Sequence, residues 1–280
     1  MPLARAKVNL WLNVVGRRTD GYHLLDSLVA FTDLADDIEV SAAPDLSLDI
    51  AGPAVASLQE ETDNLVLRAA RLLAGRAGLA PRAALRLTKR IPVAAGLGGG
   101  SADAAATLLA LVDLWRVAMP EEELFDLAAE LGADVPMCLA GRPALVAGVG
   151  ERLAPAPRLP PCAILLVNPG LPLPTPHVFA ARQGSFSAER PTPGAWPDLA
   201  VFGRELAARG NDLTDAAVSL RPEIASVLQA LRGSHRVVHA AMSGSGATCF
   251  GLYETVEAAQ RAAAALPPSW WRHTGQLATS

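Results

Sequence analysis

Residues 92 to 106 read Pro-Val-Ala-Ala-Gly-Leu-Gly-Gly-Gly-Ser-Ala-Asp-Ala-Ala-Ala. Gly96, Gly98, Gly99 and Gly100 free the backbone for positive φ and let its N–H groups approach a ligand without interference from Cβ. A helical pattern from Ser101 to Trp115 follows at once, with Ser101 expected as its cap. Unpaired amide donors and the positive end of a helix dipole therefore converge on the loop, which makes an anion site, most naturally for phosphate. Two common phosphate loops are excluded by spelling. A Walker A loop ends Gly-Lys-Ser/Thr, whereas Gly100 precedes Ser101, and a dinucleotide fingerprint starting at Gly96 needs glycine at position 101. The same glycines would also serve a plain strand-to-helix connection that lets Ala102, Ala104, Ala105 and Ala106 pack closely.

Other candidate groups are scattered. Lys7 and Asn9 alternate on the first predicted strand and project together, although a strand lysine is ordinarily just solvated. Asp134, in Gly132-Ala133-Asp134-Val135-Pro136, follows a predicted helix and fits either an N-cap or a carboxylate facing a cleft. Tyr22 and His23 follow a turn, and Phe179 follows Pro174-Thr175-Pro176; in a chain of 5% aromatic content such rings serve core packing or stacking on a base. His23, His177, His235, His239 and His273 show no compact ligand spacing, so no metal centre is expected. Gly244-Ser245-Gly246 lacks the GxSxG elbow, which leaves Ser243 and Ser245 in a loop rather than as nucleophiles. Cys138, Cys162 and Cys249 are odd in number and far apart, as expected in a reducing cytoplasm.

The elements that must position these groups follow from composition and periodicity. With 280 residues, 51% hydrophobic and 19% charged, the chain can bury a large core. A net charge of −4 argues against a general nucleic-acid binder or a polybasic membrane-surface protein, and no apolar run approaches a membrane span. The N-terminus lacks the features of a signal peptide. Alternation from Ala6 to Val15 predicts a strand with one buried face, and Leu24 to Phe31 a second. A helix is expected from Asp63, placed as its cap, to Ala77, with Gly78 just beyond. A strand over 83–88, the long helix after the glycines and a helix over 121–131 complete a first domain, residues 1–154. The proline cluster from Ala154 to Pro161 marks a boundary to a second, α+β domain, residues 162–280. There a strand over 163–167, helices near Leu213 to Leu231 and Val256 to Leu266, and a strand over 249–253 are expected, with Gly184 to Pro197 as an irregular excursion. Trp270-Trp271 reads as packing or an oligomer contact.

Pro92-Val-Ala-Ala-Gly96-Leu97-Gly98-Gly99-Gly100-Ser101-Ala102 resembles the ATP loop of the GHMP small-molecule kinases. Further segments match one branch of that family in order: Ala6 to Leu10, Gly16 to His23, Asp63 to Leu65, Gly132 to Pro136, Gly148 to Glu151, Pro174 to Pro176, Asn211 to Leu213 and Met242 to Ala247. The resemblance spans about residues 4 to 255 and implies an α/β (α+β) fold of two domains. These are an N-terminal domain like ribosomal protein S5 domain 2 and a C-terminal ferredoxin-like domain, with the acceptor in a cleft between. It also implies direct phosphoryl transfer from ATP, with Mg²⁺ carried by the nucleotide, to an alcohol bearing a cytidine diphosphate group. Asp134 would be the base and Lys7 its electrostatic partner. Pro92, Val93, Ala94, Ala95, Gly96, Leu97, Gly98, Gly99, Gly100, Ser101 and Ala102 would bind ATP, together with Asn64 and Lys89 near its adenosine end. Asn9, Tyr22, His23, Thr175 and Phe179 would bind the acceptor, with Tyr22 and Phe179 stacking on cytosine and His23 reading its edge. A monomer or weak homodimer in the cytoplasm, without nucleic-acid or membrane partners, is implied as well. Two departures stand out: Ala102 replaces a second serine, and Gly184 to Arg209 has no counterpart.

Overall fold

The computed structural model describes residues 2–53 and 64–279. Asp63, the expected helix cap, lies outside the described residues. The chain divides into two compact units, one made of the residues up to Lys7, Leu34–Val93 and Gly98–Gly141, the other of Val8–Asp33, Ala94–Leu97 and Arg142–Ser280. Two long strands, β1 (Leu3–Arg17) and β2 (His23–Ser41), and the glycine segment each contribute to both.

In the first unit, β3 (Ser47–Ala51) runs parallel to β4 (Ala84–Thr88), with Ser47 opposite Ala84, and β4 pairs antiparallel with the end of β2, with Asp37 opposite Thr88. Four helices cover these strands: α1 (Leu65–Ala77), α2 (Gly99–Trp115), α3 (Glu121–Leu131) and α4 (Val135–Ala140). Asn64 caps α1 by accepting from Val66 N at 2.9 Å, and Gly78 closes it in the left-handed conformation. The buried Ala102, Ala104, Ala105 and Ala106 of α2 leave room for Val66, Ala69 and Leu73 of α1 in one core. The helix begins two residues before the expected start. Ser101 lies inside it, and the cap is Gly98, at φ +65° with no side-chain bond. Only glycine meets that backbone angle at little cost, which is why the start moves to the glycines.

In the second unit, the first half of β2 pairs antiparallel with β5 (Ala144–Gly148), which forms a hairpin with β6 (Arg152–Pro155). A four-stranded antiparallel sheet is built from β7 (Ala163–Asn168), β8 (His239–Met242), β9 (Cys249–Tyr253) and β10 (Trp271–Gln276), in the order β10-β7-β9-β8. Numbered by their own sequence these strands run 4-1-3-2, the ferredoxin-like order, as the resemblance implied. Helices α5 (Thr175–Ala181), α6 (Leu199–Arg209), α7 (Thr214–Leu220), α8 (Glu223–Arg232) and α9 (Val256–Ala264) complete the unit. Trp270 packs on the edge of the core under this sheet, and Trp271 opens β10.

The expectation that β1 buries one face is corrected: residues 6–14 are buried on both. Leu12 and Val14 enter the second core, and the polar face is covered by polar partners. Asn9 Nδ2 donates to Ser27 Oγ at 2.9 Å, Asn13 Nδ2 to the Arg209 carbonyl at 2.9 Å, and the Arg209 guanidinium lies 4.3 Å from the Trp11 ring. Buried amides need such partners, so the alternation of residue types is real while its burial consequence differs.

His239, at the start of β8, has a buried Nε2 without a hydrogen-bond partner among the described residues, and burial, with Arg232 adding, lowers its pKa from 6.5 to about 4. Between those values the unfolded chain takes up a proton that the folded chain refuses, so stability is lost as pH falls. Chemical denaturation of His239→Gln between pH 7 and pH 4 should show a shallower loss than the parent; an identical slope would assign the acid sensitivity elsewhere.

Candidate active site

The lysine and the aspartate that the sequence could only nominate meet in the first unit. Lys7 Nζ lies 3.4 Å from Asp134 Oδ2, with the lysine side chain 9% and the carboxylate 39% exposed. Asp134 occupies the N-cap position of α4, yet its side chain makes no capping bond and its φ and ψ are helical. A simple cap is therefore not its role. The short α4, with Pro136 in its first turn, holds the carboxylate part open to solvent beside the Lys7 ammonium.

Lys7 reaches this position past Gly98. A Cβ added at Gly98 would lie 2.7 Å from Lys7 Cγ and 3.1 Å from its Cε, so the left-handed glycine at the start of α2 is also a passage for the lysine stem. The first amides of α2 carry no cap side chain, and with the positive helix end they form a cradle fit for phosphate oxygens. Lys7 and Asp134 stand next to that cradle. Among the described residues no group of three or more His, Cys, Asp or Glu is placed to hold a metal ion.

Gly96 belongs to the part of the glycine segment in the second unit. At φ +75°, its added Cβ would lie 2.5 Å from the Gly246 carbonyl, so the two glycine loops of the sequence pack backbone on backbone. Thr248 N donates to Ala95 O at 3.3 Å, and Ser243 Oγ donates to Gly96 O at 3.4 Å while accepting from Asn9 N at 3.2 Å. Asn211 Nδ2 donates to the Met242 and Gly244 carbonyls, both at 2.8 Å, and Thr175 shares a 2.8 Å hydrogen bond with Ser245. Asn9 and Thr175, nominated for the acceptor, are thereby joined through one loop to Ala95 and Gly96, nominated for ATP.

Two expectations change in detail. His23, not a free face, covers Phe179, with ring centroids 5.0 Å apart and planes 24° from parallel, and Tyr22 projects into solvent. Burial first, then Arg17 and Arg182, lowers the pKa of His23, so its imidazole is neutral at pH 7 and offers one donor and one acceptor nitrogen. Lys89, expected at the adenosine end, is 3% exposed with its ammonium against Asp36 at 2.5 Å and Asp103 at 2.7 Å. Its ammonium is turned inward, toward these two carboxylates, rather than outward. Sequence reasoning passed over Asp36 and Asp103. The available signal was an acid in an alanine-rich helix at a spacing that buries it.

An anion cradle at a helix start, an adjoining lysine–aspartate pair and a ferredoxin-like second unit define an enzyme class: a small-molecule phosphotransferase. Comparison with known proteins agrees. The model of the GHMP kinases N terminal domain matches residues 64–142, and that of the GHMP kinases C terminal matches residues 195–273. A 4-diphosphocytidyl-2-C-methyl-D-erythritol kinase of Paramagnetospirillum magneticum is 53% identical over 98% of this chain and 97% of its own, and one of Rhodospirillum rubrum 50% identical over 98% and 91%. A crystal structure of 4-(cytidine 5'-diphospho)-2C-methyl-D-erythritol kinase shares 41% identity over 99% of both chains, with a TM-score of 0.82. A homoserine kinase from Cytophaga hutchinsonii shares the fold, with a TM-score of 0.73 at 17% identity over 99% of this chain and 96% of its own. The chain belongs to the GHMP kinases and, within them, to the family of 4-diphosphocytidyl-2-C-methyl-D-erythritol kinases.

No helix among the described residues is long and apolar enough to cross a membrane. Replacing Gly98 by alanine should push the Lys7 stem aside and strain the start of α2. Turnover should fall by about 10²-fold, the scale of a roughly 1 Å misplacement, with little change in circular dichroism. Parent-like turnover would show that Lys7 does not depend on the passage.

Proposed function

We propose that this chain transfers the γ-phosphoryl group of ATP to the 2-hydroxyl of 4-diphosphocytidyl-2-C-methyl-D-erythritol, a step of the non-mevalonate route to isoprenoid precursors. The observation that carries it is the Lys7–Asp134 pair beside the glycine cradle. Phosphoryl transfer to an alcohol needs the hydroxyl aimed at the phosphorus, its proton accepted and the charge on the transferring oxygens compensated. The Asp134 carboxylate accepts the hydroxyl proton as the new P–O bond forms. Lys7 orients the carboxylate and lowers the cost of negative charge on the attacking oxygen. The start of α2, from Gly98 to Ala102, binds phosphate oxygens through backbone amides, with Pro92, Val93, Ala94, Ala95, Gly96 and Leu97 leading into it and Asn64 near the nucleoside. The phosphoryl group passes directly between the two oxygens without a phospho-enzyme.

In this reading residues 1–154 supply the nucleotide loop, the base and three of the five acceptor contacts, and residues 162–280 the other two. Phe179, with His23 stacked on it, lines the place for cytosine, His23 reads its edge, and Tyr22, exposed at the turn, supplies a second ring; Asn9 and Thr175 supply polar contacts. The protein works in the cytoplasm as a monomer or weak dimer, with Mg²⁺ arriving on ATP.

ADP release with ATP, Mg²⁺ and the cytidylyl substrate, absent with homoserine or mevalonate, is the expected result; release with those alcohols instead would overturn the acceptor assignment. Asp134→Asn should lower turnover by roughly 10²-fold or more with nucleotide binding retained, and near-parent turnover would remove it as the base. Phe179→Ala should raise the KM for the acceptor by about 5- to 150-fold, the range for one base–aromatic stack, and leave the KM for ATP unchanged. An unchanged acceptor KM would place the cytosine elsewhere.

A further inference from the structure

Three ionisable side chains that the proposed chemistry does not consume lie buried together in the first unit. Lys89, at the exit of β4, Asp36 of β2 and Asp103 in α2 are each 3% exposed or less. Lys89 Nζ bridges Asp36 Oδ2 at 2.5 Å and Asp103 Oδ2 at 2.7 Å. Asp36 Oδ1 accepts from Arg90 N at 2.5 Å and Ile91 N at 2.8 Å, the last residues before the glycine segment. Lys89 N is itself bound to Ala51 O at 2.8 Å, which ties the exit of β4 to β3. A Cβ added at Gly99 would lie 3.1 Å from Ile91 Cγ2 and 3.2 Å from Lys89 Nζ, so the first turn of α2 rests directly on this cluster.

Burying a lysine with two carboxylates is a poor way to stabilise a fold, since apolar side chains of like volume do as well or better. What the cluster supplies is a geometric constraint. One carboxylate holds the backbone entering the glycine segment, the other belongs to the helix leaving it, and a single ammonium joins the two. We infer that Asp36 and Asp103 are positioning residues for ATP, acting through Lys89 to clamp both ends of the glycine segment so that the amides at the start of α2 are preorganised for phosphate. The inference rests on the kinase reading for its ligand.

Charge supports the assignment. Two carboxylates beneath an anion cradle would oppose phosphate if both were ionised. Burial, opposed by Lys89 and reinforced by Asp36, pushes the Asp103 carboxyl well above the usual range, and its Oδ1 is buried without a hydrogen-bond partner among the described residues. A raised Asp103 pKa lessens the negative charge beneath the helix start. For Lys89, burial would lower the pKa, but Asp103 and Asp36 outweigh it and raise it, so the ammonium stays charged as the bridge.

The test compares Asp103→Ala, Asp103→Asn and the parent by calorimetric binding of a non-hydrolysable ATP analogue and by the KM for each substrate. Asp103→Ala should weaken analogue binding about tenfold, the scale of one charge-assisted hydrogen bond, with acceptor KM unchanged, and Asp103→Asn, which keeps an oxygen on Lys89, should restore most of it. Parent-like binding by Asp103→Ala overturns the clamp, as do equal losses in both variants accompanied by a raised acceptor KM, the sign of general loosening. Should Asp103→Ala fail to fold, Asp36→Asn takes its place, since it keeps the acceptor for Arg90 and Ile91 but breaks the ion pair. Weakened analogue binding with a normal acceptor KM is then expected, and unchanged binding overturns the clamp. A parent protein that binds the analogue but transfers to no alcohol sinks the kinase reading and leaves the clamp measurable; one that binds no analogue sinks the clamp.

Discussion

A phosphate group can be met by backbone amides only where no Cβ stands in the way, and in this chain that requirement falls on Gly98. Its left-handed conformation starts α2 without a side-chain cap, so the amides of the first turn stay available. The same missing Cβ lets the Lys7 stem pass and reach Asp134. The open amides of the first turn and the Lys7–Asp134 contact thus depend on one residue having no side chain. The alanines that follow serve the constraint too, because a helix aimed at a ligand must be held firmly from behind, and small residues allow α1 close contact along its length.

Polar burial recurs wherever the structure has to hold a loop in place. Asp36, Lys89 and Asp103 lie beneath the start of α2; Ser243, Asn211 and Thr248 organise the second glycine loop; Asp212 accepts from Val14 N and Ser187, and Arg209 reaches Asp26, Glu205 and the Pro191 carbonyl. Each of these groups has a directional partner, and directionality is what an apolar contact lacks. Arg209 also explains how the irregular segment between α5 and α6, which matched nothing in the sequence, is tied to β1: its guanidinium bonds the segment's carbonyls and lies over Trp11.

Much of the architecture was legible from local pattern. The helix over 121–131, the strands over 163–167 and 249–253 and the glycine that ends α1 are as periodicity and turn chemistry require. Less legible were β8 and β10, short strands of ordinary composition whose pairing is supplied by β9 and β7. The break between α7 and α8 at Arg221-Pro222 and the two-sided burial of β1 likewise depend on what packs against them.

At the site, residue type and spacing alone determined that a glycine loop leads into a helix and that its spelling is neither a Walker A nor a dinucleotide loop; the family resemblance added a lysine and an aspartate more than 120 positions apart as candidates for catalysis. Tertiary structure decided that these two meet, that the aspartate caps nothing, and that Lys89 faces inward to Asp36 and Asp103. The physical reason is range. Backbone angles, caps and periodicity act over a few residues and can be read along the chain, whereas the environment of a charge is set by groups brought near it only when the chain folds.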